Sequence, residues 1–175
     1  MQRVVVFGTT RSGKSWLADR LGGRTGLRVV ELDALFWGRD WQPAPIELFR
    51  HRVERETAVD GWIVVGNYGQ VRDLTWRAAD TLIWLDLPLV TVLSQLVPRT
   101  IKRAVTGEEL WGTGNRESLR GAFLSRQSIL LWALKTHAKN RQRFEIECSL
   151  LAKDKRVVRL RSRRAIADFA SSPLP

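Results

Sequence analysis

Apolar positions along this chain change their spacing in a regular alternation. Gln2 to Phe7, with Val4-Val5-Val6-Phe7 at its centre, is a continuous β-branched and aromatic run. Such a run is expected of a strand buried on both faces. Leu27 to Leu32, Trp62 to Val65, Thr81 to Asp86 and Val157 to Leu160 repeat the pattern. Between them the spacing turns helical. Lys14 to Leu21 carries Trp16, Leu17 and Leu21 on one stripe and is expected to end at Gly22-Gly23. Pro45 to Ala58 offers Leu48, Phe49, Val53 and Thr57, and a short helix is predicted around Asp73 to Ala79. Pro88 opens a long helix through Arg103, which Pro98 should bend or break. Leu119 to Ala138 shows a core face of Phe123, Leu124, Leu130, Leu131 and Leu134, and Arg164 to Ala170 closes the chain. Val105 to Ser118, with three glycines and no stripe, reads as a hinged loop, and Lys139 to Glu147 is polar and poorly patterned. Strands alternating with helices predict an α/β fold with a parallel sheet and right-handed crossovers.

The junction between the first strand and the first helix carries the clearest chemistry. Gly8-Thr9-Thr10-Arg11-Ser12-Gly13-Lys14-Ser15 has the spacing Gly, four residues, Gly-Lys-Ser. The glycines let backbone N–H groups crowd around an anion, and a helix N-terminus adds partial positive charge. Lys14 would reach the terminal phosphates of a nucleotide and the Ser15 hydroxyl would ligate Mg²⁺. Gly8 through Ser15, with Trp16 next in line, is therefore the expected nucleotide-holding stretch.

Polar residues at the ends of the other strands supply the acceptor side, because ligands of open parallel sheets lie at the carboxyl ends of the strands. Strand alternation would place Glu31 and Asp33 on one side, one near the metal and the other taking the proton of an attacking hydroxyl. Asn67 and Tyr68 follow the third strand, with Arg72 positioned to pair with an anionic acceptor or the transferring phosphate. Asp86 ends an apolar strand in the Walker-B manner, near Mg²⁺. Trp37 and Trp41 either shield an acceptor from water or pack. No Asn-Lys-x-Asp guanine-specificity motif occurs, so ATP is expected over GTP.

Composition narrows the setting. The 175 residues, 44% of them hydrophobic and eight of them Trp, suit one domain with a substantial core. No apolar run is long enough to span a membrane, the start of the chain leaves no room for a signal peptide, and Cys148 is alone. A cytoplasmic setting is expected. The formal charge of +11 is uneven: residues 1–94 hold twelve Lys/Arg against eleven Asp/Glu, and residues 95–164 hold seventeen against six. Such a surplus favours polyanions, so nucleic acid joins nucleotides among the candidate partners.

The chain resembles the small P-loop kinases of the adenylate kinase and shikimate kinase type. Within them it is most similar to the topology modulation proteins, a group related to adenylate kinases. The resemblance is carried by Gly8 to Ser15, Leu32-Asp33-Ala34-Leu35-Phe36-Trp37, Trp62 to Tyr68, Ala79-Asp80 to Pro88, Arg99 with Arg103, and Gly114-Asn115-Arg116-Glu117-Ser118. It implies a three-layer P-loop NTPase fold whose five-stranded parallel sheet has the order 2-3-1-4-5. It also implies an acceptor-binding insert at about 37–60 and a short lid at about 105–118. Arg99 and Arg103, and more loosely Arg116, would then grip the ATP phosphates or cover the base, and Glu31-Leu32-Asp33 is similar to an Asp-x-Asp element serving magnesium and the acceptor hydroxyl. Members of the nearer group commonly carry Asp before Gly-Asn-Tyr, where this chain has Val65. The expected activity is Mg-ATP-dependent phosphoryl transfer to a small acceptor. The alternatives are a nucleic-acid-associated ATPase or regulator, and a nucleotide-binding module with little catalysis.

Overall fold

A computed structural model describes residues 1–107, 109–110, 114–116 and 129–172. Strand β1 (Arg3–Gly8) leads into α1 (Lys14–Thr25), then β2 (Arg28–Glu31), α2 (Leu32–Phe36), α3 (Ile46–Glu56), β3 (Trp62–Val65) and α4 (Arg72–Ala78). After β4 (Thr81–Leu85) come α5 (Leu89–Thr106), a hairpin of β5 (Glu109–Leu110) and β6 (Asn115–Arg116), α6 (Ile129–Leu151), β7 (Arg156–Leu160) and α7 (Arg163–Ser171). The main sheet runs β2-β3-β1-β4-β7, and every neighbouring pair is parallel. Counting only its own strands, this is the expected order 2-3-1-4-5.

Alternation along the strands sends side chains to two separate cores. Val5, Phe7, Val64, Leu82 and Trp84 face Phe49 and Val53 of α3, Trp76 of α4, and Phe144 and Cys148 of α6. Val4, Val6, Ile63, Val65, Ile83 and Leu85 face Leu17, Ala18 and Leu21 of α1, Val92 of α5, and Ile166 and Ala170 of α7. Phe7 sits against Trp76 at 4.5 Å and edge-on to Phe144 at 5.1 Å, so one strand ring anchors two helices. Among the described residues no helix is long and apolar enough to cross a membrane.

Several local expectations differ from the structure. Helix α1 does not stop at Gly22-Gly23 but continues to Thr25, with Gly26 closing it at φ 72°. Gly22 is small for a packing reason: a Cβ there would lie 2.7 Å from Val29 Cγ2 on β2. Asp33 stands in the first turn of α2, so strand alternation does not relate it to Glu31. In α3 Phe49 and Val53 are buried, whereas Leu48 is 42% exposed. Pro98 lies inside α5 without ending it. The polar stretch 139–147 is helical, part of α6, and carries the fully buried Phe144. Residues 117–128, which include much of the predicted helix from Leu119, lie outside the described residues, as do the side chains of Leu130, Leu131 and Leu134.

Candidate active site

The loop between β1 and α1 forms an anion cradle from its own backbone. Gly8 (φ 151°) and Gly13 (φ 93°) hold conformations open to glycine, and Arg11 is also left-handed at φ 59°. A Cβ on Gly8 would lie 2.5 Å from the Leu85 carbonyl oxygen, whereas one on Gly13 meets nothing within 4 Å. Gly13 caps α1 with no side-chain hydrogen bond, and the first turn carries no acid. The N-terminal donors of α1 are thus left for a ligand. Within the loop the buried hydroxyls of Thr9 and Ser12 have no hydrogen-bond partner. Lys14 Nζ donates back to the Thr9 carbonyl oxygen at 2.9 Å. Burial pushes the Lys14 ammonium down from its ordinary range, while the charges of Asp33 and Glu31 counteract this. Orphaned donors, unpaired hydroxyls and a retracted lysine together fit a phosphate chain.

Beside the loop, Glu31 ends β2 in register with Val65 on β3. Both positions point to the α1 face of the sheet, as Val65 does in packing with Leu17 and Ala18. The Ser15 hydroxyl lies close to the Glu31 carboxylate. Burial raises the Glu31 pKa, Ser15 and Lys14 oppose that rise, and Asp33 and Asp19 add to it. A hydroxyl and a carboxylate side by side next to a phosphate cradle are the ligand types Mg²⁺ takes, with water and phosphate completing its octahedron. Among the described residues no group of three or more His, Cys, Asp or Glu could hold a metal. Phosphate oxygens would therefore have to supply part of any coordination.

Three residues expected on the acceptor side, Asp33, Tyr68 and Trp37, lie together. Tyr68 Oη donates to Asp33 Oδ1 at 2.5 Å, and the Trp37 indole N–H, the only polar group of that side chain, lies near the Tyr68 hydroxyl. Burial, then the Asp33 charge, drive the phenol far above its ordinary pKa, so Tyr68 stays a donor. Its ring is fixed by Phe36 at 4.8 Å and Phe49 at 5.3 Å. Helix α2 sets the spacing, since the Trp37 N–H donates to the Asp33 carbonyl at 3.0 Å. Trp41 stands edge-on to Trp37 at 5.9 Å. Asn67 is half-buried in the turn just before Tyr68.

Two residues expected at the site are engaged elsewhere. Asp86 is buried, but its carboxylate receives Arg141 Nε on Oδ1 at 3.0 Å and Arg159 Nη2 on Oδ2 at 2.8 Å. Position 86 shares a side with Leu82 and Trp84, towards α6, whereas Ser15 starts α1 on the opposite face. A carboxylate with both oxygens held by guanidinium groups is not the Walker-B type metal ligand expected for it. Arg72 likewise ion-pairs with Glu147 and lies over the Trp76 ring at 4.5 Å, pulled towards α6 and away from an acceptor role. Trp16 is 47% exposed beside Arg20 and borders an open groove of about 640 Å³ between α1 and α7. Arg99 and Arg103 lie on α5 and Arg116 on β6, and their side chains fall outside the described residues. The support that Tyr68 and Trp37 give Asp33 is not legible in sequence, because contacts through space leave no spacing signature.

A five-stranded parallel sheet with a glycine-rich loop feeding a helix defines the P-loop NTPase fold of the kinase type. Solved structures agree with that class. A sugar kinase from Janibacter sp. HTCC2649 is similar at 18% identity and TM-score 0.54, covering 97% of this chain and 92% of its own. A gluconokinase from Sinorhizobium meliloti 1021 matches at 17% identity and TM-score 0.54, covering 97% and 87%. A shikimate kinase from Bacteroides thetaiotaomicron matches at 12% identity and TM-score 0.57, covering 97% and 94%. No protein-family model and no curated protein matches the chain. The likeness to topology modulation proteins rests on the sequence motifs alone.

Proposed function

We propose that this chain is a Mg-ATP-dependent phosphotransferase that moves the γ-phosphoryl group of ATP to a hydroxyl of a small acceptor. The observation that supports it best is the position of Lys14, held on the loop at Thr9 while within Coulombic reach of Glu31 and Asp33. The nearness of these carboxylates to Lys14 supports placing the phosphate cradle and the acceptor side together. The α1 N-terminus and loop amides bind the phosphates, and Lys14 swings from Thr9 to the transferring group, where its charge counters the negative charge spread over the oxygens. Ser15 and Glu31 would hold Mg²⁺, which when bound supplies further positive charge to the phosphates. Asp33, oriented by Tyr68, aligns the acceptor hydroxyl and takes its proton. Trp37, Trp41 and Asn67 line the acceptor side, and Arg99, Arg103 and Arg116 are assigned to the phosphates by resemblance. The whole chain acts as one kinase-like unit in the cytoplasm.

Arg141, Arg159 and Arg161 turn to Asp86, and Arg72 and Arg143 turn to Glu147. A nucleotide-binding module with little catalysis is the second reading, favoured by Val65, which is 2% exposed where an acid would face Mg²⁺.

The test follows transfer of γ-labelled phosphate from ATP across sugars, sugar acids, nucleosides and nucleotides, with ATP binding measured in parallel. Lys14→Ala should abolish turnover and weaken ATP binding. Near-normal transfer by that variant would remove the loop from the mechanism. A wild type that binds ATP and modifies no acceptor would favour the binding module.

A further inference from the structure

We infer that Asn115 is a positioning residue for the acceptor site: its carboxamide clamps the turn at Gly38–Gln42 and thereby sets Trp37, Tyr68 and Asp33. This rests on reading the Asp33 cleft as the acceptor side. Asn115 is a buried polar residue, 2% exposed, on the hairpin that follows α5. Its Oδ1 accepts from the Trp41 N–H at 3.0 Å and its Nδ2 donates to the Gly38 carbonyl at 2.8 Å.

The turn closes on itself through Gly38 N–H to Gln42 O at 2.8 Å and Gln42 N–H to Arg39 O at 3.1 Å. The Gly38 carbonyl and the Trp41 N–H are instead paired by the side chain of a residue 74 or more positions later in the chain. An amide carries both the donor and the acceptor needed; an aspartate keeps only the acceptor, and an aliphatic side chain has neither. Inside the turn Asp40 (φ 53°) and Trp41 (φ 57°) are both left-handed, a conformation that non-glycine residues hold when their surroundings fix it. The Asn115 carboxamide is part of that fixing. The hairpin is itself braced, since Leu110 pairs with Asn115 and the Gly114 N–H donates to Glu109 Oε1 at 2.8 Å.

The clamp then runs inward. The Trp41 ring rests edge-on against Trp37 at 5.9 Å, Trp37 and Tyr68 both pack on Phe36 at 4.9 and 4.8 Å, and Tyr68 donates to Asp33. Releasing the turn lets Asp40 and Trp41 return to ordinary backbone angles. That moves the Trp41 ring and withdraws the support on which the position of the Trp37 indole depends.

The experiment uses full-length protein without nucleotide or acceptor and reads the eight indole N–H signals in a proton–nitrogen correlation spectrum, with Trp37 identified by its loss in Trp37→Phe. In Asn115→Ala the Trp37 indole should shift and exchange faster with deuterium, while the sheet indoles of Trp62 and Trp84 stay in place and report an intact fold. Asn115→Asp keeps the acceptor for the Trp41 N–H and should move Trp37 less than Asn115→Ala does; it also carries the test if the alanine variant fails to fold. A Trp37 indole unmoved in both variants overturns the clamp. In acceptor kinetics Asn115→Ala should raise the acceptor KM or lower kcat by about tenfold, the scale of one lost oriented hydrogen bond, with ATP affinity unchanged. Because the spectrum needs no acceptor, a wild type that phosphorylates nothing overturns the kinase reading and not the clamp.

Discussion

Two glycines of one motif should respond to the same substitution in different ways. At Gly8 a Cβ would lie 2.5 Å from the Leu85 carbonyl oxygen, 3.0 Å from Ser12 Oγ and 3.2 Å from Leu85 Cβ. Gly8 and Leu85 are register partners, so no side-chain rotation relieves the contact and the ends of β1 and β4 must separate. Overpacking of this kind costs about 1–3 kcal/mol. The backbone at φ 151° adds about 1–3 kcal/mol for a residue with a Cβ. At about 2–4 °C per kcal/mol for a domain of this size, Gly8→Ala should lower Tm by about 12 °C. At Gly13 nothing lies within 4 Å of the added Cβ, so only the left-handed backbone opposes it. That costs about 1–2 kcal/mol, or a Tm loss of about 4–5 °C. If Gly8 to Ser15 holds the phosphates as proposed, however, a methyl group at Gly13 crowds the cradle, and ATP affinity should fall at least about tenfold, or ~1.4 kcal/mol. Thermal unfolding by circular dichroism and ATP titration calorimetry read the two effects separately. Gly13→Ala binding ATP like wild type, or Gly8→Ala unfolding no earlier than Gly13→Ala, would refute the reasoning.

Further outcomes follow from the same geometry. Tyr68→Phe removes a hydrogen bond to a charged group, worth about 1.5–3 kcal/mol, so acceptor-dependent kcat/KM should drop about tenfold or more while ATP binding is kept; unchanged kinetics would mean Asp33 needs no orienting partner. Asp86→Asn breaks a buried carboxylate away from Arg141 and Arg159, and both guanidiniums retain solvent contact, so about 1–3 kcal/mol of stability should be lost in denaturant titration. The Mg²⁺ dependence of turnover should stay the same, and a changed metal requirement would return Asp86 to the metal site. Cys148 is buried and its thiol is pushed up to about 11 by burial and the nearby Glu147. It is thus neutral when folded, and this contribution to stability holds below the ordinary thiol range and is lost as pH rises through about 11. Thiol labelling at pH 8 should be slow in native protein and fast in guanidinium; rapid native labelling contradicts the burial.

The features legible in sequence are those encoded by neighbouring residues. Val4 to Phe7, Trp62 to Val65 and Thr81 to Leu85 are strands wherever they pack on both faces, and the Gly8 to Ser15 spacing specifies its own backbone. Features set by distant partners were not legible. Gly22 looks like a helix stop until Val29 is seen against it. Asp33 follows an apolar run too short to separate a strand end from a helix start. Asp86 ends its strand in the same way whether it faces Mg²⁺ or guanidinium groups, and the choice falls to Arg141 and Arg159, more than fifty residues away. Residues 139–147 show no stripe because Phe144 alone goes to the core. Arg141, Arg143, Glu145 and Glu147 spend their charges on ion pairs within the fold.

In the proposed mechanism Asp33 is where the phosphate side and the acceptor side meet, and its conservative amide addresses that meeting without adding bulk. Phosphoryl transfer from γ-labelled ATP and ATP affinity should be measured together for wild type and Asp33→Asn. Transfer should be lost while ATP affinity stays within about twofold, a change of under ~0.5 kcal/mol. Transfer at the wild-type rate by Asp33→Asn would contradict that mechanism.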